Sequence, residues 1–401
     1  RVRQGTVGPL RAENRGIGVS GLLIMVAACF RRPVAVSFNP LCFASRPLAS
    51  SQREGDQAMP TESTVEQYPK GTHHHAKVWL TGLMALAAFS NCTAYAETSK
   101  ADAAYPYIMK ARAAAGDDLH REFYHRCFVD ADYASTIARY RKTHTTIEPA
   151  KVFDNLYWLN SGDNSVWILK TTEGLIAFDS FNNPGLALQL IGNGLPKLGL
   201  DPNQIKYVVI SHEDGDHFGG AQFLKDRYGA RLMASEAAWQ EMAAGDQQRR
   251  PNWFVYAPKR DLIITDGQQF TLGDATVTFY ITPGHDPGAI SAIFKVTDNG
   301  VPHVVGYMGG MGVPAQEPDR NLLIKTYARW QEISAKAGVD TLIANHAAQD
   351  SAIDKVEFLR VRRAGDWNPL VLGADAYRRY YEVQKECIRA RLVISGQRVE
   401  E

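Results

Sequence analysis

Four side chains that bind divalent metals occur within six positions near the middle of the chain. They are His212, Asp214, Asp216 and His217, in the segment ISHEDGDHFGG that spans residues 210–220. Imidazole nitrogens and carboxylate oxygens are the ligands that zinc and neighbouring divalent metals take from proteins. One ion cannot easily use all four side chains, whereas two adjacent ions can. The segment therefore predicts a site for two metal ions.

A short apolar strand, Tyr-Val-Val-Ile, is predicted to lead into this segment, because it is rich in β-branched residues and follows a turn. Side chains alternate along an extended strand end, so His212, Asp214 and Asp216 are expected to point one way. His217 is expected to point to another side. The same alternation turns Glu213 away from the metals.

Two further histidines follow predicted strands later in the chain. His285 lies in the segment ITPGHDPG, where two prolines and two glycines predict a tight loop around one imidazole. His346 comes at the end of the apolar segment TLIAN. The alternative is an ordinary polar loop, in which Asp, Glu and Gly are common turn residues. Three strand ends that each deliver metal ligands favour a metal site.

These motifs and their order resemble the metallo-β-lactamase-fold hydrolases. That family has His-x-His-x-Asp-His after a strand, usually followed by Gly-Gly, then a Thr-Pro-Gly-His and a later histidine at a strand end. The resemblance covers residues 151–350 and continues more weakly to the C terminus. The chain departs from the pattern at Asp214, where the family has its second histidine.

The resemblance implies a role for each candidate residue. The first ion would be held by His212, Asp214 and His285, and the second by Asp216, His217 and His346. Three protein ligands for each ion leave positions open for a water and for substrate. Asp216 would also orient the attacking hydroxide, as the catalytic carboxylate. Asp179, which ends a predicted strand, would support the metal loop without binding metal itself.

The resemblance also implies hydrolysis by a metal-activated water. Two cations lower the pKa of a bound water from about 15.7 toward about 7, so no protein nucleophile is needed. The expected reaction is cleavage of an ester, lactone, amide or β-lactam bond in a small molecule. The motif spacing is closest to the lactamase subclass that has no metal-ligand cysteine. Sulfatases and phosphotriesterases share these ligands, so neither the fold nor the ligand set determines the substrate.

Asp214 is expected to change the properties of the metal site. With Asp214 as a second carboxylate ligand, the formal charge of the two-metal centre falls from about +3 to about +2, which weakens the pull on bound water. Zinc is the expected metal, but a carboxylate is shorter and harder than imidazole, which shifts the preference of the first site toward iron or manganese, or leaves that site empty. We expect Asp214 to retune the first site. The alternative is an inactive or merely metal-binding protein with a broken two-metal centre.

The overall composition is that of an ordinary globular enzyme. The 401 residues are 45% hydrophobic and 22% charged, with a formal net charge of +1. Such a charge gives no electrostatic preference for nucleic acid. We expect a small-molecule partner and no membrane association of the mature chain, whereas the oligomeric state is left open by the sequence.

The first 96 residues are expected to lie outside the folded domain. Residues 1–58 show no helical or strand period, and Met59 is interpreted as the true start. Residues 59–96 combine Lys77, an apolar run of about a dozen residues and a small-residue site that ends at Ala96. This pattern predicts a signal peptide cleaved near Ala96 and a periplasmic or secreted protein. A buried helix of the mature domain is the alternative.

Cleavage at that position leaves Cys127 and Cys387 as the cysteines of the mature chain. In an oxidising compartment they are able to form one disulfide, and two buried free thiols agree equally well with the sequence. Residues 97–150 are rich in helix formers with spaced aromatic residues. They predict one or two helices packed on the main domain.

The remaining patterns predict an α+β fold. Short apolar runs separated by turns over residues 152–179 predict an antiparallel meander. The apolar spacing over 184–199 predicts a helix that covers the sheet, and strands then alternate with helices. We expect an αββα sandwich, in which two mixed β-sheets stack and carry helices on their outer faces. The domain is assigned to residues 151–350, and residues 351–401 are expected to complete it with helices. An aromatic segment at 245–258 is predicted either to cover the cleft or to pack internally.

Overall fold

The computed structural model describes residues 100–129, 147–244 and 256–400. All of them belong to one compact unit, His73–Glu401. The upstream segment, the predicted signal peptide and residues 245–255 of the aromatic segment lie outside the described residues. Tyr256, the described aromatic residue of that segment, is 90% exposed and therefore does not pack internally.

The described ranges contain both strands and helices. The strands are β1 (Ala150–Lys151), β2 (Leu156–Asn160), β3 (Ser165–Thr171), β4 (Gly174–Phe178), β5 (Ile205–Val209), β6 (Arg231–Ser235), β7 (Leu262–Ile264), β8 (Gln269–Leu272), β9 (Ala275–Ile281), β10 (Ile290–Asp298), β11 (Val301–Met308) and β12 (Thr341–Ala344). The helices are α1 (100–115), α2 (His120–Tyr124), α3 (Pro184–Leu186), α4 (Gly194–Lys197), α5 (Gly215–Phe218), α6 (Ala221–Tyr228), α7 (Glu236–Ala243), α8 (Glu317–Ala337), α9 (Ala347–Asp350), α10 (Ala352–Val361) and α11 (Ala374–Ile394). None of the helices in these ranges has the length and apolar character needed to cross a membrane.

The strands form two mixed sheets. The larger sheet has the order β1-β2-β3-β4-β5-β6-β7, antiparallel from β1 to β4 and parallel from β4 to β7. The smaller sheet has the order β12-β11-β10-β9-β8, antiparallel except for the parallel pair of β11 and β12.

The main hydrophobic core lies between the two sheets. Alternate residues of β3 face opposite sides, as expected for a strand. Trp167 and Leu169 belong to the cluster that also contains Phe294 of β10, whereas Val166 and Ile168 belong to a separate cluster. Both faces of the larger sheet are therefore buried.

Helices cover the outer face of each sheet. Leu224 of α6 and Trp239 of α7 pack on the outer face of the larger sheet. Trp330 of α8 and Tyr377 of α11 pack with Leu342 on the outer face of the smaller sheet. The predicted αββα sandwich of two mixed sheets is confirmed.

The N-terminal extension packs on the helical layer of the smaller sheet. Ala111, Ala115 and Phe123 are buried in the same cluster as α8 and α11. Cys127 follows α2 and forms a disulfide with Cys387 of α11, across a sequence separation of 260 residues. Of the two alternatives for the cysteines, the structure has the disulfide.

Two local elements differ from their predicted form. The strand expected from residue 152 begins only at Leu156, because the backbone N–H groups of Val152 and Phe153 both bond to the carbonyl oxygen of Leu156. The helix expected over 184–199 is divided into α3, a π-helical turn at Ala187–Gly192, and α4. Glycine and proline within this stretch weaken a continuous helix.

Strand ends from both sheets meet at one edge of the sandwich. The carbonyl oxygen of Ser211, beyond β5, accepts the N–H of Ile290 at the start of β10 at 2.9 Å. The carbonyl oxygen of Asn345, beyond β12, accepts the N–H of Ser165 at the start of β3 at 2.8 Å. These bonds join the two sheets where the candidate ligands lie.

Candidate metal centre

The six predicted metal ligands lie together at this edge in two neighbouring groups. We call the side chains of His212, Asp214, His285 and Asp286 the first group, and those of Asp216, His217 and His346 the second group. Within each group the ligand atoms all lie within 4.8 Å of one another. The ring centroids of His212 and His217 are 4.1 Å apart, so the two groups are adjacent. The structure thus brings all six predicted residues together and adds Asp286.

The backbone of the central motif differs from the extended loop that was expected. Helix α5 begins at Gly215, directly after Asp214. Asp216 therefore does not lie with His212 and Asp214, and its Oδ2 is 3.2 Å from His217 Nε2. The prediction that residues 212, 214 and 216 point the same way is wrong, because the two-residue period of a strand ends where the helical turn begins.

Buried carboxylates are hydrogen-bonded to the Nδ1 atoms of both histidines of the second group. His217 Nδ1 is hydrogen-bonded to Asp179 Oδ2 at 2.8 Å, and His346 Nδ1 to Asp163 Oδ1 at 3.2 Å. The Nε2 atoms of the two histidines then lie 3.2 Å from each other. A carboxylate on one ring nitrogen orients the other nitrogen toward a metal.

Asp179 occupies the supporting position that was expected of it. It directly follows β4 and has a φ of 70°, which is uncommon for a residue other than glycine. Its carboxylate accepts hydrogen bonds from the Ser211 N–H at 2.8 Å, from the Ser211 hydroxyl at 2.9 Å and from the Tyr307 hydroxyl at 3.1 Å. Asp179 therefore fixes the start of the metal loop as well as His217.

His212 Nε2 and Asp216 Oδ1 are buried polar atoms that have no hydrogen-bond partner among the described residues. The other oxygen of Asp216 accepts a bond from Asn164 Nδ2 at 2.7 Å. An unsatisfied polar atom inside a protein costs free energy. A divalent ion would satisfy both atoms, and the donor set of imidazoles and carboxylates fits such an ion.

In the first group, carboxylates and imidazoles are interleaved. Asp214 Oδ2 lies 3.7 Å from His212 Nε2 and 3.8 Å from His285 Nε2. Asp286 Oδ2 lies 3.8 Å from each of the same two nitrogens. Gly312 packs against the His285 ring so closely that a Cβ there would lie 2.5 Å from His285 Cε1. Only glycine allows this approach.

The pKa values of Asp216 and His285 agree with ligands that are ready to bind a cation, whereas neighbouring carboxylates outweigh burial and raise the pKa values of His212 and His217 in the metal-free site. Burial raises the pKa of Asp216, but the imidazoles of His217 and His346 outweigh it and hold that pKa well below 3.8. Burial, together with the neighbouring His212, lowers the pKa of His285 to about 3. Asp216 is therefore ionised and His285 neutral near pH 7, which are the forms that bind metal.

Glu213 is buried beside the first group without belonging to it. Its Oε1 accepts a hydrogen bond from the Gly288 N–H at 3.1 Å. Burial, and then the charge of Asp286, raises its pKa to about 7. Glu213 is not among the side chains of either group.

The sequence interpretation missed four residues that line or support the groups: Asp163, Asn164, Asp286 and Asn345. Asp286 had a signal, because it directly follows His285 in a loop with a strong motif. Asn345 Nδ2 donates to the carbonyl oxygen of Gly309 at 2.6 Å and lies 3.4 Å from Nδ1 of His212. Asp163 and Asn164 lie in the turn between β2 and β3, where the sequence carries no metal-site signal.

The chain is similar in sequence to known hydrolases. Residues 160–297 match the family model of the metallo-β-lactamase superfamily. The hydroxyacylglutathione hydrolase of Methylococcus capsulatus is 30% identical over 92 residues, which are 23% of this chain and 30% of that protein. The enzyme of the same name from Acidiphilium cryptum is 30% identical over 91 residues, 23% of this chain and 31% of that protein. The chain thus matches less than a third of the length of these curated relatives.

Solved structures resemble the chain more extensively. The subclass B3 metallo-β-lactamase BJP-1 of Bradyrhizobium japonicum aligns with a TM-score of 0.53 at 24% identity, over 62% of this chain and 96% of that chain. A metallo-β-lactamase of Cronobacter sakazakii gives 0.54 at 24% identity, over 65% and 100%. FEZ-1 of Legionella gormanii gives 0.54 at 22%, over 61% and 95%. At these identities the likeness shows a shared fold.

Proposed function

We propose that this chain, whose sandwich domain belongs to the metallo-β-lactamase superfamily, is a metal-dependent hydrolase of a small molecule. The bond cleaved is an ester, lactone, amide or β-lactam. The observation that carries the proposal is the convergence of two groups of metal-binding side chains at one sheet edge. The buried atoms His212 Nε2 and Asp216 Oδ1, which lack partners among the described residues, support it.

The residues present fit two divalent ions. The first would be held by His212, Asp214 and His285, and the second by Asp216, His217 and His346. When bound, such ions supply a water of lowered pKa and polarise the bond under attack. Zinc suits the histidines, and the carboxylate of Asp214 makes iron or manganese suitable as well.

Asp216 has a second task, which is to orient the attacking water. Asn164 holds one oxygen of its carboxylate, and the other oxygen is an acceptor without a partner among the described residues. The low pKa of Asp216 keeps this acceptor ionised at neutral pH. A fixed, ionised carboxylate of this kind aligns a water for attack.

The relatives narrow the class of reaction that we propose. Their names, hydroxyacylglutathione hydrolase and metallo-β-lactamase, describe the attack of water on an acyl carbon. The substrate classes with the best support are therefore thioesters, esters and β-lactams. A sulfuryl or phosphoryl substrate would use the same ligands, because the fold does not determine the substrate.

A substrate panel tests the proposed function. The purified chain is loaded separately with zinc, manganese or iron and assayed with a chromogenic ester, thioester, lactone, β-lactam, sulfate ester and phosphotriester. We expect hydrolysis of at least one acyl substrate, which a chelator abolishes and added metal restores. Turnover of the sulfate ester or phosphotriester alone would contradict the proposed bond class. Full metal occupancy without any turnover would indicate the inactive, metal-binding alternative.

Asp214 gives a separate test of the metal site. Asp214→His restores the residue that the resembling family has at this position. Because imidazole is softer than carboxylate, we expect the variant to bind two ions with a stronger preference for zinc over manganese and iron. Metal analysis of both purified proteins measures this. Equal stoichiometry and equal metal identity would show that Asp214 does not retune the first site.

We also propose that the protein is exported to the periplasm or the medium. The signal-like pattern of residues 59–96 and the disulfide between Cys127 and Cys387 support this proposal, because disulfides persist in oxidising compartments. N-terminal sequencing of protein recovered from the periplasm of a bacterial host should find a mature chain that begins at Glu97. Recovery from the cytoplasm with residues 59–96 intact would contradict it.

A further inference from the structure

We propose that Asp286 is a fourth protein ligand of the first ion. The first group would then surround its ion with four protein side chains, and the second group would provide the open position for water and substrate. This inference rests on the proposed metal-dependent function. It differs from the three-ligand set derived above, in which both ions keep open positions.

The position of Asp286 is equivalent to that of Asp214. Asp286 Oδ2 lies 3.8 Å from His212 Nε2 and 3.8 Å from His285 Nε2, and the distances for Asp214 Oδ2 are 3.7 and 3.8 Å. Two ligand atoms that are each about 2.1 Å from a tetrahedral ion are about 3.4 Å apart. These four distances exceed that value by only a few tenths of an ångström, and all ligand atoms of the first group lie within 4.8 Å of one another, which fits four ligands around one ion.

The negative charges of the first group also favour a bound cation. Asp214 and Asp286 lie in one cluster, and their side chains are only 19% and 13% exposed. Two carboxylates this close repel each other strongly when water is largely excluded. Glu213 and Asp216 add further carboxyl groups nearby. A divalent ion between the carboxylates of Asp214 and Asp286 removes the repulsion.

Backbone hydrogen bonds fix the loop that carries Asp286, which keeps this residue beside His212 and His285. The N–H of Ala289 donates to the carbonyl oxygen of Asp286 at 3.3 Å, and the N–H of Thr282 donates to that of Ala289 at 2.8 Å. Gly284, with a φ of 131°, provides the sharp turn before His285. Two successive residues, 285 and 286, thereby reach the same group.

With four protein ligands on the first ion, the two ions would have different roles. A site closed by four side chains is of the structural kind, whereas a site with three keeps a position for reaction. With Asp214, Asp216 and Asp286 as ligands, the formal charge of the two-metal centre is about +1, compared with about +3 for one carboxylate. Water activation then depends mainly on the second group and on Asp216.

Metal binding by the full chain tests the assignment. The metal-free protein is titrated with cobalt(II), whose visible absorption reports the number and type of ligands, and affinities are measured by calorimetry. For Asp286→Asn we expect the affinity of one ion to fall by more than about 100-fold, beyond the range typical of outer supporting residues. Its cobalt spectrum should change as well. Glu213→Gln is the matched control, a neutralised carboxyl of the same region that belongs to neither group, and should change the affinity by less than about 10-fold.

Asp286→His keeps a donor atom and should retain the ion with a shifted spectrum, which gives a second reading if Asp286→Asn does not fold. Wild-type affinity and spectrum in a folded Asp286→Asn protein would overturn the assignment, as would an equal loss in Glu213→Gln. A wild-type protein that binds two ions and hydrolyses nothing contradicts the proposed function alone, because the variants still decide the ligand. A wild-type protein that binds no metal overturns both.

Discussion

The two metal groups are held in place in opposite ways. In the second group, partners outside the group orient the ligands: Asp179 on His217, Asp163 on His346, and Asn164 on Asp216. In the first group, two carboxylates lie between the histidines themselves, and His285 is held by the close approach of Gly312. The second group is thus preorganised by the protein, whereas the first would be assembled to a larger extent by the ion that we propose for it.

The difference suggests a division of labour. Fixed imidazoles and a carboxylate with a free acceptor suit a site where a reacting water must be aligned. A cluster of two carboxylates and two imidazoles suits a site where an ion must be retained. The predictions below test this comparison between the two groups.

The largest effect is expected on the rate of hydrolysis, when the carboxylates of the two groups are neutralised. Asp216→Asn should reduce kcat/KM by on the order of 1,000-fold, because the ionised carboxylate both binds the ion and orients the water. Asp214→Asn should reduce it by about 10-fold, because it lies in the group that we assign to retention. Steady-state kinetics with metal content measured in parallel compares them. Equal losses would remove the division of labour.

Stepwise removal of metal should separate activity from stability. Ions at about 1,000 times their dissociation constant stabilise the folded state by about 4 kcal/mol. We expect a chelator to remove the three-ligand ion first, so that hydrolysis is lost before most of the thermal stability. Calorimetric unfolding at increasing chelator concentration, with activity measured on the same samples, follows both. Activity and melting temperature that fall in parallel would contradict the order.

Loss of the disulfide should destabilise the fold that carries both groups. Arg126, next to Cys127, is buried and donates to the Met311 carbonyl oxygen at 3.0 Å and to Gln349 Oε1 at 2.6 Å. These residues belong to the segments beside His285 and His346. Cys387→Ser should lower the free energy of unfolding by about 2–4 kcal/mol, measured by denaturant titration. Reduced wild-type protein is the control and should unfold at the same concentration as the variant.

Asp179→Asn should weaken the second ion selectively. Asparagine keeps the shape and tolerates the positive φ of this position, but it cannot offer His217 a charged acceptor. We expect the affinity for the second ion to be about 10- to 100-fold lower, with little change in the affinity for the first. Calorimetric metal titration distinguishes the two. Asp226→Asn on the exposed face of α6 is the control, and equal weakening of both ions in Asp179→Asn would contradict the selectivity.

The smallest effect concerns pH. Asp350, which ends α9 beyond His346, accepts the N–H groups of Ala344 at 2.7 Å and Ala352 at 2.9 Å. Burial raises its pKa from 3.8 to about 7. Between these values the folded chain keeps a proton that the unfolded chain releases. The stability from this group is therefore fully present below the unfolded pKa and is lost as the pH rises through about 7, by at most about 1.4 kcal/mol per unit.

Unfolding of the metal-free protein at pH 5, 6 and 7 measures this slope. Asp350→Asn should have a shallower decline than the wild type over the same range, because the titrating group is gone. Identical slopes in the two proteins would show that the Asp350 carboxyl is already ionised at pH 5.

The fold was predictable because its signals are local. Runs of β-branched residues, helical spacing and turn residues indicated the strands and helices, and their order indicated the sandwich. The errors were local as well. The strand start at Leu156 depends on a bend closed by two backbone bonds, and the break between α3 and α4 depends on the competition between glycine, proline and the packing of the helix.

By itself, the sequence determined the types of the ligands, their order and the strands that deliver them, since each lies in a short contiguous motif. Only the tertiary structure decided that a helical turn separates Asp216 from His212 and Asp214, that Asp286 lies at the same distances from the histidines as Asp214, and which buried residues support the rings. It also decided that Cys127 and Cys387 are bonded. The physical reason is that these facts are distances between segments far apart in the chain, or depend on a helical turn that a two-residue strand period does not describe.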